Sequence, residues 1–90
     1  MNYWTTKEGT KIRVNDMELS HVENTLNMLI KKYTLFCLSH GARYTSGINI
    51  YAMSESEKRE MLNNTCANRT YLKRIVATAC FQEDVYAQIM

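Results

Sequence analysis

Residues 15–40 read NDMELSHVENTLNMLIKKYTLFCLSH, and this stretch decides the fold. Its apolar residues recur with the 3.6-residue period of a helix, which predicts an amphipathic helix with one face turned to a core. The apolar stripe consists of Leu19, Val22, Leu26, Leu29, Ile30 and Tyr33. Ser20 followed by Glu23 has the spacing of a capping box, which predicts the start of the helix. Gly41 is expected to end it, because glycine readily adopts the left-handed conformation of a helix C-terminus.

The residues before this helix carry the pattern of a β-hairpin. Two short runs rich in Thr and in aromatic or β-branched residues, Asn2–Thr6 and Thr10–Val14, flank a loop that ends in glycine. Apolar and basic residues alternate in the second run, so one face of the hairpin is apolar and the other carries Lys11 and Arg13. We expect Trp4 to lie on the apolar face, over the first helix.

The segment after the first helix is the least regular part of the sequence. Residues 48–51 (Ile-Asn-Ile-Tyr) alternate weakly, which predicts a third short strand, with an ordered loop as the alternative. Ser54 and Glu57 repeat the capping-box spacing and predict a second helix over residues 54–64. Its solvated face is expected to carry Lys58, Arg59 and Glu60.

The last helix is predicted to begin near Asn68, because asparagine is a favoured N-cap residue. One face of it carries Tyr71, Ile75, Thr78, Gln82, Val85 and Ile89. Leu72, Val76 and Ala79 widen this stripe. Together these patterns predict one α+β domain over residues 1–90, dominated by helix. An N-terminal β-hairpin, with the third short strand as an option, packs on three helices.

The composition indicates more apolar surface than one small core can hold. Hydrophobic residues make up 46% of the 90 residues, and six Tyr, six Met and one Trp are among them. A chain of this length buries only about 60–65% of its unfolded surface. Met28, Leu35 and Phe36 also fall off the main stripe of the first helix. We therefore expect a homodimer or a higher oligomer; the alternative is that tyrosines simply tolerate half-burial.

Cysteine and charge patterns argue against a metal site and against a membrane. Cys37, Cys66 and Cys80 show no CxxC spacing, and the two histidines are far apart, so we expect free thiols in the cytoplasm and no metal. No stretch approaches the roughly 20 apolar residues of a membrane span, and the N-terminus has no signal-sequence pattern. The net charge of +2 is too small to imply a nucleic-acid partner by itself.

Catalytic patterns are weak in this sequence. Ser20 and His21 are neighbours, and adjacent helix positions do not face each other. Cys37 and His40 are close enough to touch on a helix, but a nucleophilic pair needs a third group to orient it, and none is evident. There is no glycine-rich phosphate loop. We therefore expect no enzymatic activity and no cofactor.

Binding residues are better represented than catalytic ones. Lys11 and Arg13 on the open hairpin face, with Tyr3 or Tyr44 near, have the chemistry to hold a phosphate and stack a base. Arg43 and Tyr44 form a similar pair in the irregular segment. The alternatives are ordinary surface charge, or a basic face that protects the sheet edge from aggregation.

A helix-turn-helix is a second binding hypothesis. The two predicted C-terminal helices have suitable lengths, and the second opens with Arg69, Lys73 and Arg74, which would contact nucleic acid. Two features speak against it: residues 64–67 lack the usual turn glycine, and the last helix has a wide apolar face.

The N-terminal third reads WTTKEG at residues 4–9, KIRV at residues 11–14, DM at residues 16–17 and SH at residues 20–21, followed by NT at residues 24–25 and ML at residues 28–29. This order of motifs resembles the opening of many small phage and prophage proteins. The corresponding order in those proteins is a Trp-Thr strand, an Asp/Glu-Gly turn, an Ile-x-Val/Ile strand, Asp-Met and a helix that begins Ser-His. The likeness covers residues 3–32. The group is functionally mixed, so no functional residue carries over.

This resemblance implies a phage source rather than one activity, and any fold drawn from it is an analogy. Phage accessory genes commonly encode anti-defence proteins, such as anti-CRISPR proteins and sponges that sequester cyclic-nucleotide immune signals. The expected function is anti-defence by stoichiometric binding, in the host cytosol, to a host immune protein such as a CRISPR effector or to its nucleotide signal. The alternative is a small nucleic-acid-binding phage regulator.

Overall fold

The computed structural model describes residues 2–81, which form a two-stranded hairpin and three helices. Strands β1 (Tyr3–Thr5) and β2 (Lys11–Arg13) are followed by a short 3-10 turn (Val14–Asp16), helix α1 (Leu19–Ser39), a second 3-10 turn (Ile50–Ala52), α2 (Glu55–Ala67) and α3 (Thr70–Cys80). This confirms the predicted helix-dominated α+β fold. None of the helices in this range is long and apolar enough to span a membrane.

The hairpin is antiparallel, with Trp4 opposite Ile12. Gly9 supplies the loop with a positive φ of 88°, and its amide donates to the Thr6 carbonyl at 2.9 Å. A side chain at this position would be strained, because L-residues rarely adopt such an angle. Trp4 and Ile12 are half-buried and pack against the core, as predicted from the alternation of the strand residues.

Helix α1 contributes the largest share of the core. Val22 and Leu26 are fully buried in it, and Leu29 and Ile30 nearly so. Gly41 ends the helix as predicted. The Ala42 amide donates to the Cys37 carbonyl at 3.0 Å, which is the signature bond of a Schellman motif.

The capping box predicted at the start of α1 is wrong. The helix begins at Leu19 after Glu18 as N-cap, so Ser20 already lies in the first turn. Glu23 instead accepts a hydrogen bond of 2.7 Å from the Lys58 ammonium on α2. The Glu23 carboxylate, which the local pattern predicted to cap the helix, therefore forms a tertiary ion pair instead.

The third strand predicted at residues 48–51 is also wrong, because Ile50–Ala52 forms a 3-10 turn. The Asn49 side chain accepts from the Tyr51 amide at 3.1 Å, and the Asn49 carbonyl accepts from the Ala52 amide at 3.2 Å. These local bonds use backbone groups that a strand would give to a neighbour. Ile50 is 1% exposed, so its side chain packs in the core and holds the turn against it.

Two of the three side chains predicted to be solvated on α2 make contacts with other parts of the chain instead. Lys58 is buried on Glu23, with its side chain 8% exposed. The Arg59 guanidinium donates from Nη1 to the Val14 and Met17 carbonyls at 3.0 and 2.8 Å. Glu60 is exposed as predicted. Through Lys58 and Arg59, helix α2 therefore binds to α1 and to the segment that joins the hairpin to α1.

Helix α3 packs on α1 with its buried residues Leu72, Val76 and Cys80. The Asn68 side chain accepts from the Thr70 amide at 3.1 Å, as expected of a residue at the start of this helix. The predicted stripe residues Gln82, Val85 and Ile89 lie outside the described residues.

The capping box at the start of α2 is formed as predicted. The Ser54 amide donates to Glu57 Oε1 at 3.1 Å, and the Glu57 amide donates to the Ser54 hydroxyl at 3.1 Å. The bond from the Ser54 amide is the main cause that lowers the pKa of Glu57, and the Ser54 hydroxyl adds to it. The folded state therefore favours the charged carboxylate.

This box predicts a specific acid sensitivity. Because the pKa of Glu57 is lowered by folding, its contribution to stability is present above the unfolded pKa and is lost as the pH falls through the folded pKa. We expect Glu57→Gln to lose less stability than the wild type between pH 7 and pH 3, measured by urea unfolding. Glu60→Gln is the control and should keep the wild-type pH dependence. Equal losses in wild type and Glu57→Gln would contradict the assignment.

Candidate binding cleft

Strand β1 has one edge paired with β2 and one edge free. The Val14 amide donates to the Asn2 carbonyl at 3.1 Å, so this pair is hydrogen-bonded across the ladder. Hydrogen-bonded and non-hydrogen-bonded pairs alternate along an antiparallel ladder. The register therefore turns the backbone N–H and C=O groups of Tyr3 and Thr5 away from β2. These groups are available to a ligand beside the hairpin.

A cleft of about 310 Å³ opens on the β1 side of the hairpin. Its walls are Tyr3, Trp4 and Thr5 from β1, Leu29 and Tyr33 from α1, Thr65 and Cys66 from the last turn of α2, and Arg69 from the connection to α3. We call this the aromatic cleft, because three of its eight lining residues are aromatic. Leu29 and Tyr33 are one helical turn apart, so α1 presents both along the same wall.

The electrostatics of the aromatic cleft are set by Arg69. Its side chain is exposed and has no ion pair or hydrogen bond to any residue in the range 2–81. None of the described lining residues is acidic. The Thr65 hydroxyl is already committed, since it donates to the Met61 carbonyl at 2.7 Å. Within residues 2–81, the lining of the cleft thus combines apolar and aromatic residues with one positive charge that has no partner.

Cys66 places a thiol in the wall of the aromatic cleft. It is half-buried, and this burial raises the pKa of its thiol. A raised pKa keeps the thiol protonated at neutral pH, and the protonated form is a poor nucleophile.

A second, shallower groove of about 640 Å³ continues past Trp4 on the other side. It lies between the hairpin loop and one face of α1, and it is lined by Trp4, Thr5, Thr6, Lys7, Glu8, His21, Asn24, Thr25 and Met28. Because Trp4 and Thr5 line both spaces, they separate the groove from the aromatic cleft. Lys7 and Glu8 give the groove opposite charges at one end, so it lacks the single positive character of the cleft.

The predicted hairpin pair lies outside the aromatic cleft. Arg13 is directly opposite Tyr3, as the hypothesis required, and Lys11 is opposite Thr5. Arg13 Nε lies 3.7 Å from Asp16 Oδ2, a loose ion pair between exposed side chains, and Nε makes no hydrogen bond. Neither cation lines the cleft. The Arg13–Asp16 contact joins residues three positions apart, so it lies within the range of local sequence patterns.

The second predicted pair, Arg43 and Tyr44, lies in the irregular segment after α1. Both side chains are exposed, Tyr44 by 45%, and neither lines the aromatic cleft or the groove. Neither of these two cavities therefore brings the two predicted pairs together.

The three cations predicted for nucleic-acid binding are divided between two surroundings. Arg69 lines the aromatic cleft, whereas Lys73 Nζ lies 4.6 Å from the centroid of the Phe36 ring on α1. That distance is a cation–π contact. Arg74 is exposed. Of the six cations predicted to bind, Arg69 alone lines the cleft, where it lies with Tyr3, and it belongs to the nucleic-acid hypothesis rather than to the hairpin one.

Cys37 and His40, one of the two weak catalytic pairs, have different surroundings in the structure. Cys37 is buried, while His40 stacks on Phe36 with 4.2 Å between the ring centroids, and its Nδ1 lies 2.9 Å from the Phe36 carbonyl. Burial, together with the neighbouring Cys37 thiol, raises the pKa of Cys80. Within residues 2–81, no group of three potential ligands is placed to hold a metal ion.

Comparisons with protein-family models, curated proteins and solved structures found no match for this chain. The aromatic cleft therefore has to be interpreted from its own chemistry. Sequence reasoning missed it because Trp4 and Tyr33 were assigned to the core on periodicity. The available signal was the count of aromatic residues, which exceeds what a core of this size encloses.

Proposed function

We propose that this protein is a phage-encoded anti-defence protein that acts by stoichiometric binding, without catalysis, in the cytoplasm of the host cell. Its target is a host immune component, either an immune protein such as a CRISPR effector or the nucleotide signal of such a system. The observation that carries the binding role is the aromatic cleft with its uncompensated Arg69. The resemblance of residues 3–32 to phage accessory proteins supports the phage source.

The surface supports binding on physical grounds. Met28, Leu35 and Phe36 on α1 are 53%, 56% and 47% exposed, although they are large and apolar. Exposed apolar groups on one helix are typical of an interface. They also support the proposal that the protein forms a homodimer or a higher oligomer.

Affinity capture tests the proposed function. A tagged copy is expressed in host cells that carry an active immune system, and the purified complex is analysed by mass spectrometry for proteins and for small molecules. We expect one host immune protein, or one nucleotide, at a fixed stoichiometry, together with loss of immunity in the same cells. Intact immunity in cells that produce the folded protein would contradict the proposal.

The alternative function, a small nucleic-acid-binding phage regulator, is supported by the surface of α3. Arg69, Lys73 and Arg74 are all exposed near its start, and only Asn68 and Arg69 separate it from α2. Binding to duplex DNA should then weaken steeply with salt, with a log–log slope of about −0.9 for each phosphate contact. Arg74→Ala should reduce that slope by about one contact. Salt-independent or absent DNA binding would remove this alternative.

A further inference from the structure

We propose that the aromatic cleft binds a planar ring that carries an anionic group, with the size of one nucleoside monophosphate. This inference rests on the proposed binding function and names the chemistry of its ligand. It selects the nucleotide signal rather than a folded protein as the occupant of this cleft.

The ring is assigned to the aromatic walls. Trp4 and Tyr33 are both half-buried, so each is held by the core on one side while it lines the cleft. Aromatic side chains fixed in this way have few rotamers left to lose, which favours stacking on a flat ligand. Leu29 contributes an apolar contact between them and the helix backbone. An aliphatic ligand would not use these faces.

The anionic group is assigned to the end of the cleft that Arg69 occupies. A guanidinium without an internal partner donates in a planar fork that matches phosphate or carboxylate. Tyr3 and Thr5 line the same cleft, and the register turns their backbone N–H groups away from β2, where they are placed as two further neutral donors. Within residues 2–81, no lining residue carries a carboxylate that would repel an anion. A cationic ligand is therefore disfavoured.

The volume of the cleft limits the ligand to one such unit. Small-molecule sites commonly span about 300–1,000 Å³, and 310 Å³ lies at the lower end of that range. A cyclic dinucleotide would place one nucleotide in the cleft and the other outside it. Free mononucleotides and cyclic nucleotide signals both carry a planar ring and an anionic group, so the experiment tests probes of both kinds.

Isothermal titration calorimetry with the purified full chain tests the assignment. The probes are AMP, GMP, CMP and UMP for the complete unit, 3′,5′-cyclic AMP and cyclic di-AMP for signals, adenosine for the ring alone, and ribose 5-phosphate for the anion alone. We expect at least one complete nucleotide to bind at least about tenfold more tightly than either half, since ring and anion contribute together. Preference for a cyclic probe over AMP identifies a signal as the source.

Variants locate the binding site. Arg69→Gln should weaken the best probe by at least about tenfold, because it removes the charge and keeps a similar length. Lys32→Gln, at an exposed position of α1 outside the cleft, is the matched control and should leave affinity unchanged. Adenosine binding, which lacks the anion, should be unaffected by Arg69→Gln. Equal weakening by both variants would overturn the site.

Alkylation of Cys66 gives an independent readout, because this thiol lines the cleft while Cys37 and Cys80 are buried. N-ethylmaleimide should label Cys66 first, and a saturating nucleotide should slow that labelling about fivefold or more by covering the thiol. Unchanged labelling at saturation would place the ligand elsewhere.

The failure of this inference is distinguishable from the failure of the proposed function. If no nucleotide binds at about 1 mM, which corresponds to a binding free energy of about −4 kcal/mol, the assigned ligand is wrong. The proposed function then still stands if a host immune protein is captured with fixed stoichiometry. If immunity is also intact, both are wrong.

Discussion

Leu26→Ala is expected to lower the free energy of unfolding by about 3–4 kcal/mol, the largest effect of any single substitution considered for this chain. Leu26 is fully buried in the middle of α1. Truncation there removes apolar burial and also leaves a cavity, since other residues of the same core, such as Leu72 and Val76 on α3, are themselves fully buried. Domains of this size are stable by only about 5–15 kcal/mol, so the variant should approach unfolding near physiological temperature.

Chemical denaturation of the purified protein, followed by circular dichroism, measures this loss. Leu35→Ala is the matched control, because it makes the same chemical change on the same helix at a position that is 56% exposed. We expect the control to change stability by less than about 0.5 kcal/mol, unless the protein is oligomeric through this face. A concentration-dependent loss in the control would then identify the interface. Similar, concentration-independent losses in both variants would contradict the assigned core.

Lys58→Ala is expected to lower the free energy of unfolding by about 2–3 kcal/mol. The Lys58 ammonium is 2.7 Å from the Glu23 carboxylate, and the two side chains are 8% and 20% exposed. Removing one member of a buried ion pair leaves the other charge desolvated without compensation, at a cost of about 3–5 kcal/mol when burial is complete. The value expected here is lower because Glu23 retains some contact with water.

A double variant separates the ion pair from simple packing. Glu23→Leu combined with Lys58→Met replaces both charges by apolar groups and should recover most of the stability lost in Lys58→Ala. The cycle compares the wild type, Glu23→Leu, Lys58→Met and the variant that carries both substitutions. Urea unfolding of these four proteins gives the coupling energy between the two residues. If the double variant loses the sum of the two single losses, the residues do not act as a pair.

The loop of the hairpin, the end of α1 and the start of α2 are features that the local sequence determines. Gly9 makes the hairpin loop and Gly41 ends α1, because each supplies a positive φ that other residues avoid. The Ser54 capping box forms because both of its bonds join residues three positions apart. Such features are readable because all of the interacting atoms lie within one turn of chain.

The aromatic cleft illustrates what the sequence left undecided. Its walls come from β1, α1, α2 and the connection to α3, so no single window of sequence contains it. Periodicity identifies Leu29 and Tyr33 as one helix face, but it does not show where that face extends past the packed core. The surroundings of Arg69, which has no ion pair or hydrogen bond within residues 2–81, are likewise a property of the assembled chain.

The sequence by itself determined the order of the elements, the apolar stripe of α1, the turn glycines and the box at Ser54. Tertiary structure alone decided that Glu23 pairs with Lys58 rather than capping its own helix, and that Arg59 ties α2 to the carbonyls of Val14 and Met17. The physical reason is range. Helix periods and caps act over three or four residues, whereas these bonds join residues 35 to 45 positions apart and form only when the helices pack.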